Sequence, residues 1–267
     1  MTTPPSETAD WATGILDRPE PPAITQLPYG ERLLTQSAAL LREARSVHVV
    51  ADVKQGTQRM RLDVRIDREQ NCAGNFDAEP GQRGHLIAIA GKKSGEPEAY
   101  VKFSDASLNE MQAMADTRGP QIAEQMRERL ALIRGKYAKA PSGPKGAKSL
   151  AALCTLAQKI GGSEDVAGTK ALKPVQRDGR RMIPLVPTPN SGTTSGTSGT
   201  SGTSGTSGEK GLAYVDAGPK PYLRSLKATE KNMSADLKFS DYDEPLTVRR
   251  PATTEIVELD NGSMFAV

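Results

Sequence analysis

The stretch SVHVVADVKQGTQRMRLDVRID, residues 46–67, decides the fold. Val47, Val49, Ala51 and Val53 alternate with polar or neutral partners, Gln55-Gly56 supplies a turn, and Met60, Leu62, Val64 and Ile66 alternate with Arg59, Arg61, Asp63, Arg65 and Asp67. A period of two is the pleat of a β-strand, which sends successive side chains to opposite faces. The two runs therefore predict an antiparallel hairpin with one buried and one charged face.

The same alternation continues outward from this hairpin. It runs through Cys72, Gly74, Phe76 and Ala78, then Leu86, Ala88 and Ala90, then Ala99, Val101 and Phe103, with turns at Glu69-Gln70, at Pro80-Gly81 and between Gly91 and Pro97. Five consecutive strands of a meander result. Upstream, Leu33, Leu34, Ala38, Leu40, Leu41 and Ala44 fall at helical spacing and predict a short amphipathic helix. Downstream, Ser104-Asp105 suits a helix N-cap, and Leu108, Met111, Met114, Ile122, Met126, Leu130 and Ile133 recur at helical steps through residues 106–138, broken at Gly119-Pro120. A further helix is expected from Ser149 to Ile160, stopped by Gly161-Gly162. Strand patterns return at Leu172 to Val186, Leu212 to Val215, Tyr222 to Ala228 and Met233 to Phe239, with a short edge piece near Ile256 to Leu259. Helix, five strands, a helical insert and three or four more strands add up to the α+β class: one antiparallel sheet with its apolar face covered by helices.

Residues 1–30 hold Pro4, Pro5, Pro19, Pro21, Pro22 and Pro28 among acids and small polar residues, too little apolar content to offset the entropy of ordering, and read as a disordered tail. The folded domain is expected over 31–260, followed by a C-terminal tail at 261–267. Within it, SGTTSGTSGTSGTSGTSG at 191–208 is a near-perfect three-residue repeat of the kind that forms flexible coil. Strands of one kind flank it and loop closure grows only logarithmically with length, so it reads as a long hairpin loop; a split into two domains at that point is the alternative.

Composition narrows the function. The chain has 267 residues, Lys+Arg 35 against Asp+Glu 32, a net charge of +3, 36% hydrophobic residues and a mean hydropathy of −0.50. It can build a core and contains no run of about 18 apolar residues that would span a bilayer, as expected of a soluble domain. Two His, two Cys and 4% aromatic residues thin out the side chains that serve metals, acid–base steps and nucleophilic attack. His48 and His85 sit in strand segments without a triad pattern, Gly143-Pro-Lys-Gly-Ala-Lys-Ser149 lacks phosphate-loop spacing, and neither H-E-x-x-H nor a paired-carboxylate motif occurs. No enzymatic activity, cofactor or metal is expected. The start, MTTPPSETAD, has no basic and apolar leader, and no lipid-anchoring cysteine precedes Cys72. Cys72 and Cys154, 82 positions apart, fit neither a redox C-x-x-C nor a zinc pattern, which leaves a structural disulfide or two unrelated thiols.

The residues also carry a resemblance. ARSVHVVADV, MRLDVRIDREQNCAGNFDA, YVKF followed by a helical insert, GKYAKA, SLAALC, AGPKPYLRSLKAT and LKFSDYDEP, in that order, resemble the mature domain of actinobacterial cell-envelope lipoproteins related to the mycobacterial lipid carriers of the LppX/LprG type, over roughly residues 33–260. The resemblance implies a LolA-like half-barrel, a single curved antiparallel sheet whose concave face, closed by helices, holds acyl chains. It also implies a disulfide, because such relatives place one Cys in the third strand, in an Asn-Cys-x-Gly context, and one in the helix before the late strands; here these are Cys72 and Cys154. An extracytoplasmic location, in the cell envelope or secreted, follows by the same resemblance.

A lipid pocket needs a wide apolar concavity, and inward strand residues would be its walls. The candidate ligand-binding residues are Val49, Ala51, Met60, Leu62, Val64, Phe76, Leu86, Val101, Leu237 and Phe239 from strands, with Leu108, Met111, Met114, Ile122 and Met126 from helices. The same residues would serve equally to pack a dry core. The methionines favour an adaptable surface, since unbranched thioether chains repack around varied partners. Lys170, Lys173, Arg177, Arg180 and Arg181 against Asp178 suit a peripheral contact with a membrane surface or an anionic head group, although such runs are commonly a solvated strand face. A nucleic-acid partner would call for aromatic platforms or a more basic domain. The function expected is that of a monomeric, non-enzymatic carrier or chaperone of lipids and other acylated small molecules. The alternative is a protein-interaction or sensor module of the same fold with a filled core.

Overall fold

The structure is a computed structural model that describes residues 27–91, 96–142, 147–154, 167–187, 210–230 and 232–258. The expected tail up to residue 26, the repeat at 191–208, the C-terminal tail and the second half of the 149–160 helix lie outside the described residues.

The decisive stretch forms β1 (Ser46–Gln55) and β2 (Gln58–Asp67), paired antiparallel with Val49 opposite Val64 and Ala51 opposite Leu62. The meander continues as β3 (Cys72–Ala78), β4 (Gln82–Ile89) and β5 (Glu98–Phe103). Helix α1 (Tyr29–Glu43) precedes it, two residues inside the stretch read as tail. It can begin there because Gly30 presses on the backbone of Thr169–Ala171, where a Cβ would meet the Thr169 carbonyl at 2.4 Å.

After β5 come α2 (Asp105–Asp116) and α3 (Pro120–Ile133). Ser104 caps α2 by accepting from the Ser107 amide at 3.1 Å, and Gly119-Pro120 divides the two helices as expected. The helical pattern does not run on to residue 138. Gly135 takes a left-handed φ of 73°, which ends the helix and frees Tyr137–Lys139 to form β6 beside β5. Helix α4 (Ala147–Cys154) follows.

The second set of strands is β7 (Lys170–Ala171), β8 (Val175–Arg177), β9 (Arg180–Val186), β10 (Lys210–Asp216), β11 (Leu223–Glu230), β12 (Met233–Ser240) and β13 (Ile256–Glu258). The run Leu172–Val186 is thus not one strand. Asp178 and Gly179, both at positive φ, turn it into the β8–β9 hairpin. Strands β9 and β10, on either side of the Gly/Ser/Thr repeat, are neighbours, with Ala213 opposite Leu185.

Among the described residues all strands belong to one sheet in the order β13-β6-β5-β4-β3-β2-β1-β12-β11-β10-β9-β7, with β8 also on β9. The sheet is open and curved, and the two halves meet where β1 pairs with β12, Ala51 facing Leu237. It is not wholly antiparallel, because β13 joins β6 in parallel. The chain reaches that position by crossing the outer face. Asp243 accepts from the Arg45 amide at 2.8 Å, Arg65 holds Asp241 and Glu244 at 2.8 Å each, Arg250 lies 2.5 Å from Glu98, and Lys139 lies 2.9 Å from Glu258.

Candidate functional site

Strand register assembles the inner face from side chains distant in sequence. One cross-strand row runs Phe103, Gly84, Phe76, Leu62, Ala51, Leu237, Leu226, Ala213, Leu185 and Ala171, spanning ten strands without a charged residue. A parallel row runs Ala138, Val101, Leu86, Gly74, Val64, Val49 and Phe239. Gly74 and Gly84 matter here because a Cβ at either would strike the neighbouring backbone at 2.1 Å and 2.2 Å. The absence of side chains lets the sheet close up at those points.

The face differs between its two ends. Toward the β2–β3 turn, Val47, Ile66, Cys72, Ala88 and Ala99 line up across five strands and none is more than 4% exposed. Cys72 is bonded there to Cys154, so α4 is tied over this end, on β4 and β5. The disulfide that the resemblance implied is present. At the opposite end, toward the β1–β2 turn, Val53, Met60 and Ala235 line up across three strands and are only half-buried although they point to the same side, while Ala78, opposite Met60, is buried; in the middle row Phe76 and Leu226 are half-buried too. Helix α2 leaves β5 at this second end, where the Ser107 hydroxyl donates to the Gly81 carbonyl at 2.7 Å. Helix α1 covers a separate part of the sheet, over β7, β10 and β11.

Of the candidate residues, Val49, Ala51, Leu62, Val64, Leu86, Val101, Leu108, Met111, Leu237 and Phe239 join one buried cluster, and Met60, Phe76, Met114 and Met126 pack half-buried against it. Ile122 does not join them and is 43% exposed. The buried stripe of α3 is Ala123, Leu130 and Ile133, which leaves Ile122 one position off the face. Val53, Phe103, Leu226 and Ala235 are not among the candidate ligand-binding residues, yet the period of two that marks Ala51, Val101 and Leu237 extends directly to Val53, Phe103 and Ala235.

The outer face is charged and hydrogen-bonded. Asp52 accepts from Arg59 Nε at 2.8 Å, with Arg61 at 3.4 Å, and these bonds, Arg59 first, hold its carboxyl down at about 2 against the desolvation that raises it. His48 lies 2.7 Å from Asp63 through Nε2 and 3.1 Å from the Ser240 hydroxyl through Nδ1, with Asp241 at 3.4 Å. Sequence spacing gave no sign of this grouping, because Ser240 and Asp241 arrive on β12 and the segment after it. Burial pushes the Tyr100 hydroxyl up to about 12, helped by its bond to Glu98, and pushes His85 down, helped by Lys102. Tyr242, pushed well up by burial, donates to the Leu223 carbonyl at 2.6 Å. Among the described residues no helix is long and apolar enough to cross a membrane, and no group of three His, Cys, Asp or Glu side chains is placed to hold a metal.

No protein-family model matches the chain, and no curated protein matches it. Solved structures do. The chain is similar in structure to LprF from Mycobacterium bovis, at 14% identity and a TM-score of 0.48, covering 85% of this chain and 98% of that one. It is also similar to the lipoprotein LppX of Mycobacterium tuberculosis, at 12% identity and a TM-score of 0.40, covering 82% and 98%. A DUF1329 family protein from Desulfovibrio piger follows at 10% identity and a TM-score of 0.23, covering 82% and 93%.

Proposed function

We propose that the chain is a non-enzymatic carrier of lipids or other acylated molecules, working as a monomer outside the cytoplasm in the cell envelope. One observation carries this reading. The inner face is a continuous apolar surface closed at one end by α4 and its disulfide and left half-exposed at the other. Acyl chains would enter past Met60 and Phe76 and lie across the row that holds Leu86 and Val49, with the head group remaining at the rim. Met60, Met114 and Met126 suit a surface that must adapt to chains of different shape. The driving force is burial of methylene groups at about 0.8 kcal/mol each, opposed by about 4–15 kcal/mol for lost freedom on association, so most of a long chain has to be covered before binding is useful.

Native mass spectrometry of the purified protein, beside an organic extract of the same sample, tests this. A retained adduct of lipid mass that leaves on extraction is expected. A clean apo mass that stays unchanged after incubation with envelope lipids would overturn the carrier reading and point to an interaction module with a filled core.

A further inference from the structure

Strands β7 and β8 lie one after the other along the same edge of β9, pairing with Leu185–Val186 and with Arg180–Met182, and Leu172–Pro174 interrupts them. This edge gathers Lys170, Lys173, Arg177, Arg180 and Arg181; among the described residues Asp178 lies 3.7 Å from Arg177, and the Glu31 carboxylate at the start of β7 is engaged by the Gly168 amide at 2.7 Å. Lys170, Lys173, Arg180 and Arg181 are exposed and have no carboxylate partner among the described residues. The hairpin register sets Arg177 directly opposite Arg180, an arrangement of like charges that disfavours the pairing. Beside them two aliphatic side chains stand in solvent, Leu172 at 49% and Val175 at 41% exposure.

An open sheet edge is commonly blunted by lysine and proline, and Lys173-Pro174 does that here. Blunting calls neither for facing arginines nor for exposed leucine and valine. A nucleic acid would satisfy the cations and leave Leu172 and Val175 bare. A bilayer of anionic lipid satisfies both, with phosphates at the level of the guanidinium and ammonium groups and apolar chains just beneath. We propose that the hairpin segment 170–181 docks this protein on an anionic membrane surface, with Leu172 and Val175 inserted among the head groups. The contact rests on exposed edge side chains and needs no acyl chain bound on the inner face, so it stands or falls separately from the carrier reading.

The test is co-sedimentation of the full chain with vesicles of phosphatidylcholine alone and of phosphatidylcholine mixed equally with phosphatidylglycerol, at low and high salt. Binding to the anionic vesicles, weakened by salt and absent on the neutral ones, is expected. Each cation near the surface contributes about fivefold, so Arg180→Gln with Arg181→Gln should bind about 25-fold more weakly. Leu172→Ser with Val175→Ser should lose about tenfold. All four positions are exposed, so the melting temperatures of both variants should match that of the wild type, which checks that they fold. Equal binding to both vesicle types, no binding to the anionic ones, or an arginine variant that binds like the wild type would overturn the proposal. Tighter binding to duplex DNA than to the anionic vesicles would overturn it too and give the patch to nucleic acid.

Discussion

The two ends of the inner face are built from similar side chains and reach different states. Val47, Ile66, Cys72, Ala88 and Ala99 at one end are sealed, while Val53, Met60 and Ala235 at the other are part-exposed on the same side of the same sheet. Hydrophobicity alone does not make the difference. The sealed end has α4 fastened across it by Cys72–Cys154, whereas the open end is bordered by turns and by α2, which packs on β4 through Leu108 and Met111 without a covalent tie. On the carrier reading proposed above, ligand would enter and leave at the second end.

The largest effect should come from cutting the closed end. Cys72→Ser with Cys154→Ser releases an 82-residue loop, and chain entropy sets the loss at roughly 4–5 kcal/mol, read as a fall in the urea midpoint. A loss near zero would mean that α4 does not depend on its bond. Next, Leu86→Ala, at a side chain 1% exposed, should cost about 2–5 kcal/mol, whereas Met60→Ala, half-buried at the open end, should cost less than about 1 kcal/mol. Equal losses would erase the distinction between the ends. The smallest effect concerns pH. Asp52, on the outer face, is held ionised down to about pH 2 by Arg59, below the ordinary carboxylate range near pH 4. Its stabilising contribution is complete above the ordinary value and is lost as pH falls from about 4 to about 2. Asp52→Asn should therefore flatten the acid limb of a stability profile between about pH 4 and about pH 2 and leave the slope near neutral pH unchanged.

Much of this architecture was legible in the sequence because β-strands report their faces by a period of two. The hairpin at 46–67, the meander to Phe103 and the break at Gly119-Pro120 all follow from local chemistry. What was not legible depends on contacts far apart in the chain. The pairing of β1 with β12 joins residues about 190 positions apart, and the parallel β13 depends on a crossing segment anchored by Arg45 and Arg65. The acidic cluster Asp241, Asp243 and Glu244 opposite those arginines is a signal that could have suggested it. Ile122 shows the limit of helical periodicity, since one residue of phase separates a wall position from an exposed one. The inner face as a whole could be read from alternation. Which of its ends stays open could not, because that is set by where the helices and the disulfide come to rest.

The most direct test loads the wild-type chain and an Ala235→Trp variant with a saturated sixteen-carbon fatty acid and records native mass spectra of both. Ala235 is part-exposed at this end, opposite Val53, so an indole there would cover the entrance that the carrier reading requires and stay clear of the sealed end. The expected result is a bound fatty acid on the wild type and its loss from a variant that melts at the same temperature. Equal loading of both proteins, or none on the wild type, would contradict entry through this end.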